Sequence, residues 1–422
     1  MDRFRIEGPV RLSGKVSING SKNAALPIMA ATILAEGKST LSLVPHLLDV
    51  SVCCELLEEL GCKITRSSNG DLAIDATVID NPVGEYDIVR RMRASICILG
   101  PLLARCGRAE VSMPGGCAIG DRPVNLHIKG LKALGAQIHL ENGYIIAEAP
   151  NGLKGKEIFM GGPFGSTVLG TANVLMAATL AKGQTVIESA ACEPEITDLA
   201  NCLIKMGAKI TGIGSPRLTI EGVGELCPVE YDVIPDRIEA GTFMAAAAIT
   251  KGELHLENCR LNDMMAVVDK LRNVGIAVEA ENNGCVVSHR GNLKPSDITT
   301  QPYPGFPTDL QAQFMVLLAL AEGNSVVIEK IFPDRFMHVA ELTRMAANLR
   351  KEGHVVIVAG VKKFIAAQVM ASDLRASAAL VLAGLAAEGT TIINRVYHID
   401  RGYEKIEERL NPLGAKIIRE NV

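Results

Sequence analysis

The sequence predicts an α/β protein built from six copies of one folding unit, and three observations carry that expectation. A Leu-x-x-apolar-Gly-small signature returns at residues 57–62, 131–136, 203–208, 271–276 and 410–415. A weaker copy reads from Leu349 to His354, with Glu352 in the apolar place before Gly353. A second signature precedes each copy, a run of small and apolar residues that stops at Gly37, Gly107, Gly183, Gly252, Gly323 or Gly389. An apolar or alternating stretch follows each stop, as in Gln184-Thr185-Val186-Ile187-Glu188 and Ser325-Val326-Val327-Ile328-Glu329. Repeats of this kind mean one supersecondary unit used many times.

Along the chain, the first residues alternate in Phe4-Arg5-Ile6 and Val16-Ser17-Ile18. They predict strands that join the C-terminal half of the protein. Each repeat then reads helix, strand, helix, strand. The first helix of each is rich in small residues, as in Met244-Ala245-Ala246-Ala247-Ala248 and Ala376-Ser377-Ala378-Ala379. Such helices approach one another closely and are expected to be buried. The second helix carries charge, as in Glu404-Lys405-Ile406-Glu407-Glu408-Arg409, and is expected to face water on one side. Its glycine stop suits the left-handed position that ends many helices. Six units divide into two domains of three, with a boundary near Val229 to Pro235, where Cys227-Pro228 ends one strand and Pro235-Asp236-Arg237 opens the next unit. No Gly-x-Gly-x-x-Gly follows the first strand, which argues against a dinucleotide site.

Composition narrows the function. The chain has 422 residues, a formal charge of −4, no Trp and few aromatics. Charge therefore does not point to nucleic acid, and base-stacking platforms are not expected. Eleven Cys are scattered without a Cys-x-x-Cys pair, which suits free thiols in a reducing cytosol. No metal-binding spacing appears. The start Met1-Asp2-Arg3-Phe4-Arg5 has no apolar stretch behind it, and the longest apolar run, Ala24 to Ala35, contains Pro27. No signal peptide or membrane insertion is expected.

Two features carry chemistry. The first is Pro114-Gly115-Gly116-Cys117-Ala118-Ile119-Gly120-Asp121-Arg122-Pro123. Its glycines and prolines make it a loop, and it sets a thiol near a fixed cation suited to phosphate or carboxylate. The second is what stands at the start of the small-residue helices: Ser21-Lys22-Asn23, Arg90-Arg91-Met92-Arg93, Pro235-Asp236-Arg237, Pro307-Thr308-Asp309 and Ser372-Asp373-Leu374-Arg375. Lys22, Arg93 and Arg375 lie at helix starts, against the helix dipole, and Arg401 adds a further charge. That is unfavourable unless an anion meets them. For Asp236, Asp309 and Asp373 a second reading stays open, that of helix caps. For Arg93, Arg375 and Arg401 the alternative is a surface role such as a salt bridge.

These motifs, together with Ser21-Lys22-Asn23-Ala24-Ala25-Leu26-Pro27, Phe306-Pro307-Thr308-Asp309-Leu310-Gln311 and His398-Ile399-Asp400-Arg401-Gly402-Tyr403, resemble the UDP-N-acetylglucosamine enolpyruvyl transferases along essentially the whole chain. The related 5-enolpyruvylshikimate 3-phosphate (EPSP) synthases share the architecture but lack the Cys loop. The resemblance implies a two-domain inside-out α/β barrel, three units per domain. Residues 22–231 would form one domain and 1–21 plus 232–422 the other, with the active site in the cleft between them.

It implies transfer of the enolpyruvyl group of phosphoenolpyruvate to the 3-hydroxyl of UDP-N-acetylglucosamine, with no metal or organic cofactor. The setting would be peptidoglycan precursor synthesis in the bacterial cytoplasm. Cys117 resembles the general acid, open to alkylation by the epoxide fosfomycin, and its loop is expected to close as a lid. Asp309 resembles the base. Lys22, Asn23, Arg122 and Arg401 resemble the phosphoenolpyruvate contacts. Arg93, Arg122, Pro123, Val124, Asn125, Leu126, Ser166, Thr167, Val168, Asp309 and Ile331 resemble the UDP-sugar contacts, with Arg335, Asp373 and Arg375 in support. Two departures stand out: Asn125 replaces a frequent Asp, and Gly165 sits about where some members have Lys. A non-catalytic regulatory paralogue is the alternative. The oligomeric state is not readable.

Overall fold

Each repeat begins with a helix that has almost no polar face, and these helices form the two cores. The structure is a computed structural model describing residues 2–114 and 123–421. Cys117 and Arg122 lie outside the described residues. The chain divides into two compact units, residues 20–114 with 123–234, and residues 2–19 with 235–421.

In the first unit the buried helices are α1 (Lys22–Ala31), α3 (Leu99–Cys106) and α5 (Val168–Ala178), and the second helices of each repeat are α2 (Leu48–Glu59), α4 (Asn125–Ala133) and α6 (Pro194–Lys205). In the second unit the buried helices are α7 (Arg237–Ile249), α9 (Gln311–Leu318) and α11 (Leu374–Ala386), with α8 (Met265–Val274), α10 (Met337–Arg344) and α12 (Ile406–Leu410) as second helices. Helices α7, α9 and α11 pack on one another, as do α3 and α5. Small residues permit this. A Cβ at Gly100 would come within 2.3 Å of the Asn173 carbonyl oxygen, so α3 can approach α5 only with glycine there. Val174 to Ala178 of α5 and Met244 to Ala248 of α7 are essentially without exposed surface.

One sheet pattern serves all six repeats. The strand after each buried helix (Lys38–Ser42, Arg108–Ser112, Gln184–Glu188, Glu253–Glu257, Asn324–Ile328 and Ala387–Asn394) pairs with a parallel neighbour on one side and an antiparallel one on the other. In five repeats the antiparallel partner lies within the repeat. In the sixth it is Asp2–Gly8, which also pairs with Ile417–Asn421, and Ser13–Ser17 pairs in parallel with Glu253–Glu257. The first twenty residues thus complete two sheets of the C-terminal half.

Two details of the sequence reading need correction. The weak copy at 349–354 is not a helix end: Asn348–Glu352 is a strand hairpinned onto Val355–Ala359. The true fifth copy is Leu342-Thr343-Arg344-Met345-Ala346-Ala347, where Ala346 takes φ +67° and the Ala347 N–H returns to the Leu342 carbonyl at 3.1 Å. Gly61, Gly135, Gly207, Gly275 and Gly414 take the same place with φ between +99° and +110°. The stop at Gly389 also lies inside a strand, because α11 runs directly into Ala387–Asn394. The expected wet side of α6 is present but narrow, with Asn201, Ile204 and Lys205 exposed. Pro194, Glu195, Ile196, Asp198, Leu199, Ala200, Cys202 and Leu203 are all buried, because α6 packs on α1 and α5.

Among the described residues no helix is long and apolar enough to cross a membrane, and no group of three or more His, Cys, Asp or Glu is arranged to hold a metal ion.

Candidate active site

In the unit of residues 2–19 and 235–421, the polar residues gather at the starts of the buried helices. Pro307 leads into a 3-10 turn, Thr308–Leu310, that continues as α9. This turn sets Asp309 between two guanidinium groups. Its Oδ1 accepts from Arg335 Nη1 at 2.8 Å and its Oδ2 from Arg375 Nη2 at 2.8 Å. The Asp309 side chain keeps 25% of its surface, against 8% for Arg335 and 3% for Arg375. Burial alone would raise the Asp309 pKa, but Arg375 and Arg335 outweigh it and hold the carboxyl well below the usual carboxylate range. Charge-assisted bonds of this kind are the strong ones.

Arg375 is itself held. Its Nη1 donates to the Tyr403 hydroxyl at 3.2 Å, and its guanidinium lies over the Tyr403 ring. That hydroxyl also lies 2.8 Å from Thr242 Oγ1 and 3.2 Å from Gln313 Nε2. Asp373 caps α11, accepting from the backbone N–H groups of Arg375 and Ala376, and Asp236 caps α7 in the same way. Of the three acidic residues for which capping was an open reading, two are caps and Asp309 is an ion-pair partner. Arg401 is half-buried at the end of the 3-10 turn Val396–Arg401. Its neighbour Asp400 is gripped by Arg419 through bonds of 2.9 and 2.6 Å. Ile331 donates its N–H to Glu329 Oε1 at 2.8 Å.

In the unit of residues 20–114 and 123–234, Lys22 opens α1, and its Nζ lies 2.9 Å from Asp49 Oδ2 on α2. Both side chains are buried. Asn23 is half-buried beside it. Arg93 opens the 3-10 turn that leads into α3. It bears on His127, two residues after Asn125 in α4. Burial, and secondarily the Arg93 charge, push the His127 pKa down to about 4. Asn173 on α5 ties these parts together: its side chain lies 2.8 Å from His127 Nδ1, donates to the Ile96 carbonyl, and accepts from the Gly100 N–H. Pro123 and Asn125 are exposed, Val124 is buried and Leu126 is half-buried. Gly161–Gly162 pairs with Gly165–Ser166 as a short ribbon, and Gly162 lies against the Leu126 side chain. Thr167 caps α5 by accepting from the Gly170 N–H at 3.3 Å.

Within each unit, then, part of the named set comes together. Asp309, Arg335, Arg375 and Asp373 share one cluster. Arg93, residues 123–126 and the 161–168 ribbon are joined through α4 and α5. One expectation changes: Lys22 and Arg375 do not wait for an outside anion, since Asp49 and Asp309 already meet them. Sequence reasoning missed Asp49, Glu329 and His127. Local spacing gives no signal that links residue 22 to 49, or 329 to 308, because both contacts are tertiary.

The family model described as EPSP synthase (3-phosphoshikimate 1-carboxyvinyltransferase) matches residues 6–410. The chain belongs to this family. Among its relatives are the proteins named UDP-N-acetylglucosamine 1-carboxyvinyltransferase of Methylacidiphilum infernorum, 52% identical over 419 residues, and of Trichlorobacter lovleyi, 54% identical over 421 residues; each alignment covers 99% of both chains. The crystal structure of the enolpyruvyl transferase NikO from Streptomyces tendae matches with a TM-score of 0.90 at 25% identity, covering 100% of this chain and 99% of that one. An EPSP synthase from Acinetobacter baumannii shares the fold, with a TM-score of 0.77 at 21% identity over the full length of both chains. The fold is EPSP synthase-like, a mixed α/β two-domain architecture.

Proposed function

We propose that this enolpyruvyl transferase moves the enolpyruvyl group of phosphoenolpyruvate to the 3-hydroxyl of UDP-N-acetylglucosamine and releases phosphate, the first committed step of peptidoglycan precursor synthesis in the cytoplasm. The observation that carries the reading is full-length identity above half to relatives named for that reaction, joined to the presence of Lys22, Cys117, Arg122, Asp309 and Arg401 in one chain.

The chemistry balances as an addition followed by an elimination. The sugar hydroxyl oxygen bonds to C2 of phosphoenolpyruvate while Asp309 takes the hydroxyl proton and Cys117 delivers a proton to the methylene carbon. The Cys117 thiolate then takes a proton back from that carbon and the C2–O bond to phosphate breaks, restoring the double bond, while the departing phosphate carries off the proton held by Asp309. General acid–base assistance of this kind contributes about 10²- to 10⁴-fold. Lys22, Asn23, Arg122 and Arg401 take the phosphate and carboxylate of phosphoenolpyruvate. Arg93, residues 122–126, Ser166, Thr167, Val168 and Ile331 take the sugar nucleotide, and Arg335, Asp373 and Arg375 support Asp309. Residues 22–231 form one domain in this scheme, and residues 1–21 with 232–422 the other. Support for Asp309 comes from its two guanidinium partners, which keep the carboxylate ionised for the hydroxyl. They also make it a weak base, so proton transfer must be driven by bond formation at C2.

The test is phosphate release from phosphoenolpyruvate with and without UDP-N-acetylglucosamine, for wild type and Cys117→Ser. Release is expected to require the sugar nucleotide and to fall by about 10²-fold or more in the variant. A chain that binds the sugar nucleotide yet releases no phosphate would overturn the reading.

A further inference from the structure

Glu329 has no exposed surface, and nothing so far gives it a role. It follows the strand Asn324–Ile328. Four donors converge on it. Oε1 accepts from Thr300 Oγ1 at 2.7 Å, from the Ile331 N–H at 2.8 Å and from the Phe332 N–H at 3.0 Å; Oε2 accepts from Thr308 Oγ1 at 2.9 Å. Among the described residues it forms no ion pair. A carboxylate buried without a cation is strongly unfavourable unless hydrogen bonds replace its water, and here they come from three separate segments. The Thr300 hydroxyl that donates to Glu329 also accepts from the Lys330 N–H at 2.9 Å, so the backbone from 330 to 332 is shaped around this one side chain.

The Thr308 hydroxyl does double duty. Its proton goes to Glu329, and its oxygen accepts from Arg335 Nη1 at 3.0 Å. The same Nη1 reaches Asp309 Oδ1 at 2.8 Å. The Arg335 backbone N–H bonds to the Phe332 carbonyl at 2.9 Å, and its guanidinium lies 5.8 Å from the centre of the Phe332 ring. Glu329 thus meets Arg335 by two routes, the hydroxyl of Thr308 and the folded 330–335 segment.

We propose that Glu329 is a positioning residue for the sugar-nucleotide acceptor: it sets the backbone at Ile331 and, through the Thr308 hydroxyl, holds Arg335 against Asp309. This inference rests on the functional reading above, which sets Ile331 and Asp309 against the acceptor. One buried carboxylate would then link acceptor binding to the geometry of the group that takes the acceptor's proton.

The test uses the full-length enzyme with Thr308→Val, Thr308→Ser, Glu329→Gln and the Thr308→Val/Glu329→Gln double variant. The readouts are the dissociation constant for UDP-N-acetylglucosamine by calorimetry, the separate kcat and acceptor KM of phosphate release, and chemical unfolding. A lost hydrogen bond to a charged group corresponds to about tenfold or more. Thr308→Val and Glu329→Gln should each weaken acceptor binding and lower kcat by about that factor. Thr308→Ser, which keeps the hydroxyl, should stay within about twofold of wild type, and the double variant should add little to Glu329→Gln, because both single changes break the Thr308–Glu329 link. A purely structural role would lower stability while leaving the acceptor KM of the folded fraction unchanged, and that result overturns the proposal. So does a folded Thr308→Val enzyme with wild-type constants. If Glu329→Gln fails to fold, the two Thr308 variants decide. A wild-type chain that binds no UDP-N-acetylglucosamine overturns the functional reading and this inference together, whereas an active wild type with indifferent variants overturns the inference alone.

Discussion

Asp309 is held by Arg335 and Arg375, and Arg375 is held in turn by the Tyr403 hydroxyl. That hydroxyl is buried and receives a second N–H from Gln313. Tyr403→Phe keeps the ring and removes only the hydroxyl, so the Arg375 and Gln313 N–H groups and the Thr242 hydroxyl each lose a partner. The expected loss is about 1–3 kcal/mol of unfolding free energy, measured by chemical denaturation; a loss below about 0.5 kcal/mol, the level of an ordinary surface change, would show that the hydroxyl does not secure Arg375. At this scale the sequence is informative about residue types and silent about partners. Lys22 and Arg375 stand out because a cation at a helix start opposes the dipole, and Asp309 because its motif is distinctive. Their partners Asp49, Arg335 and Tyr403 lie 27, 26 and 28 residues away in the chain. No helical or strand period spans such a gap, so the ion pairs become visible only in the folded chain.

The end of the second helix is where one repeat differs from the rest. Ala346 occupies the left-handed position, φ +67°, that glycine fills at the matching place in the other five repeats. An L-residue with a Cβ there is strained by about 1–2 kcal/mol, while glycine costs more entropy on folding. Ala346 is exposed, so nothing else opposes the exchange. Ala346→Gly is expected to gain about 0.5–1 kcal/mol. The reverse change tests the same physics: a Cβ at Gly135 or Gly207 meets nothing within 4 Å, so Gly135→Ala should lose about 0.5–1 kcal/mol, backbone strain less the entropy that alanine saves. Equal unfolding midpoints for all three chains would refute the argument. The exception also explains what the sequence hid. The periodic signature finds a repeat by its glycine, and with alanine in that place the pattern slid to the next glycine, Gly353, which belongs to a hairpin between Asn348–Glu352 and Val355–Ala359. Elsewhere the helix–strand alternation was readable, because small-residue helices and glycine stops are local features. Sheet pairing was less so, since the partner of Ala387–Asn394 lies at the opposite end of the chain.

Across the whole molecule, each unit has its own core, and each core encloses one histidine that burial keeps neutral. His127 lies in the unit of residues 20–114 and 123–234, and His338 in the unit of residues 2–19 and 235–421. Both are pushed down from 6.5 to about 4, by burial first; Arg93 adds to the effect at His127 and Arg335 at His338, where Asp373 opposes it. The sign follows from proton counting. Below pH 6.5 the unfolded chain binds a proton at each site that the folded chain refuses, so stability declines as pH falls, and the decline levels off below about pH 4. At pH 5 each histidine is expected to have removed about 2 kcal/mol relative to pH 8. Two cores in one chain need not unfold in a single step, so the measurement is denaturant unfolding at pH 8 and pH 5 with a probe in each unit. His127→Asn should flatten the pH dependence of the 20–114 and 123–234 unit and leave that of the other unit unchanged. An equal slope in the variant and the wild type would mean that His127 is already charged in the fold, which its bond to the Asn173 side-chain amide opposes: Nδ1 can accept from that amide only while it carries no proton.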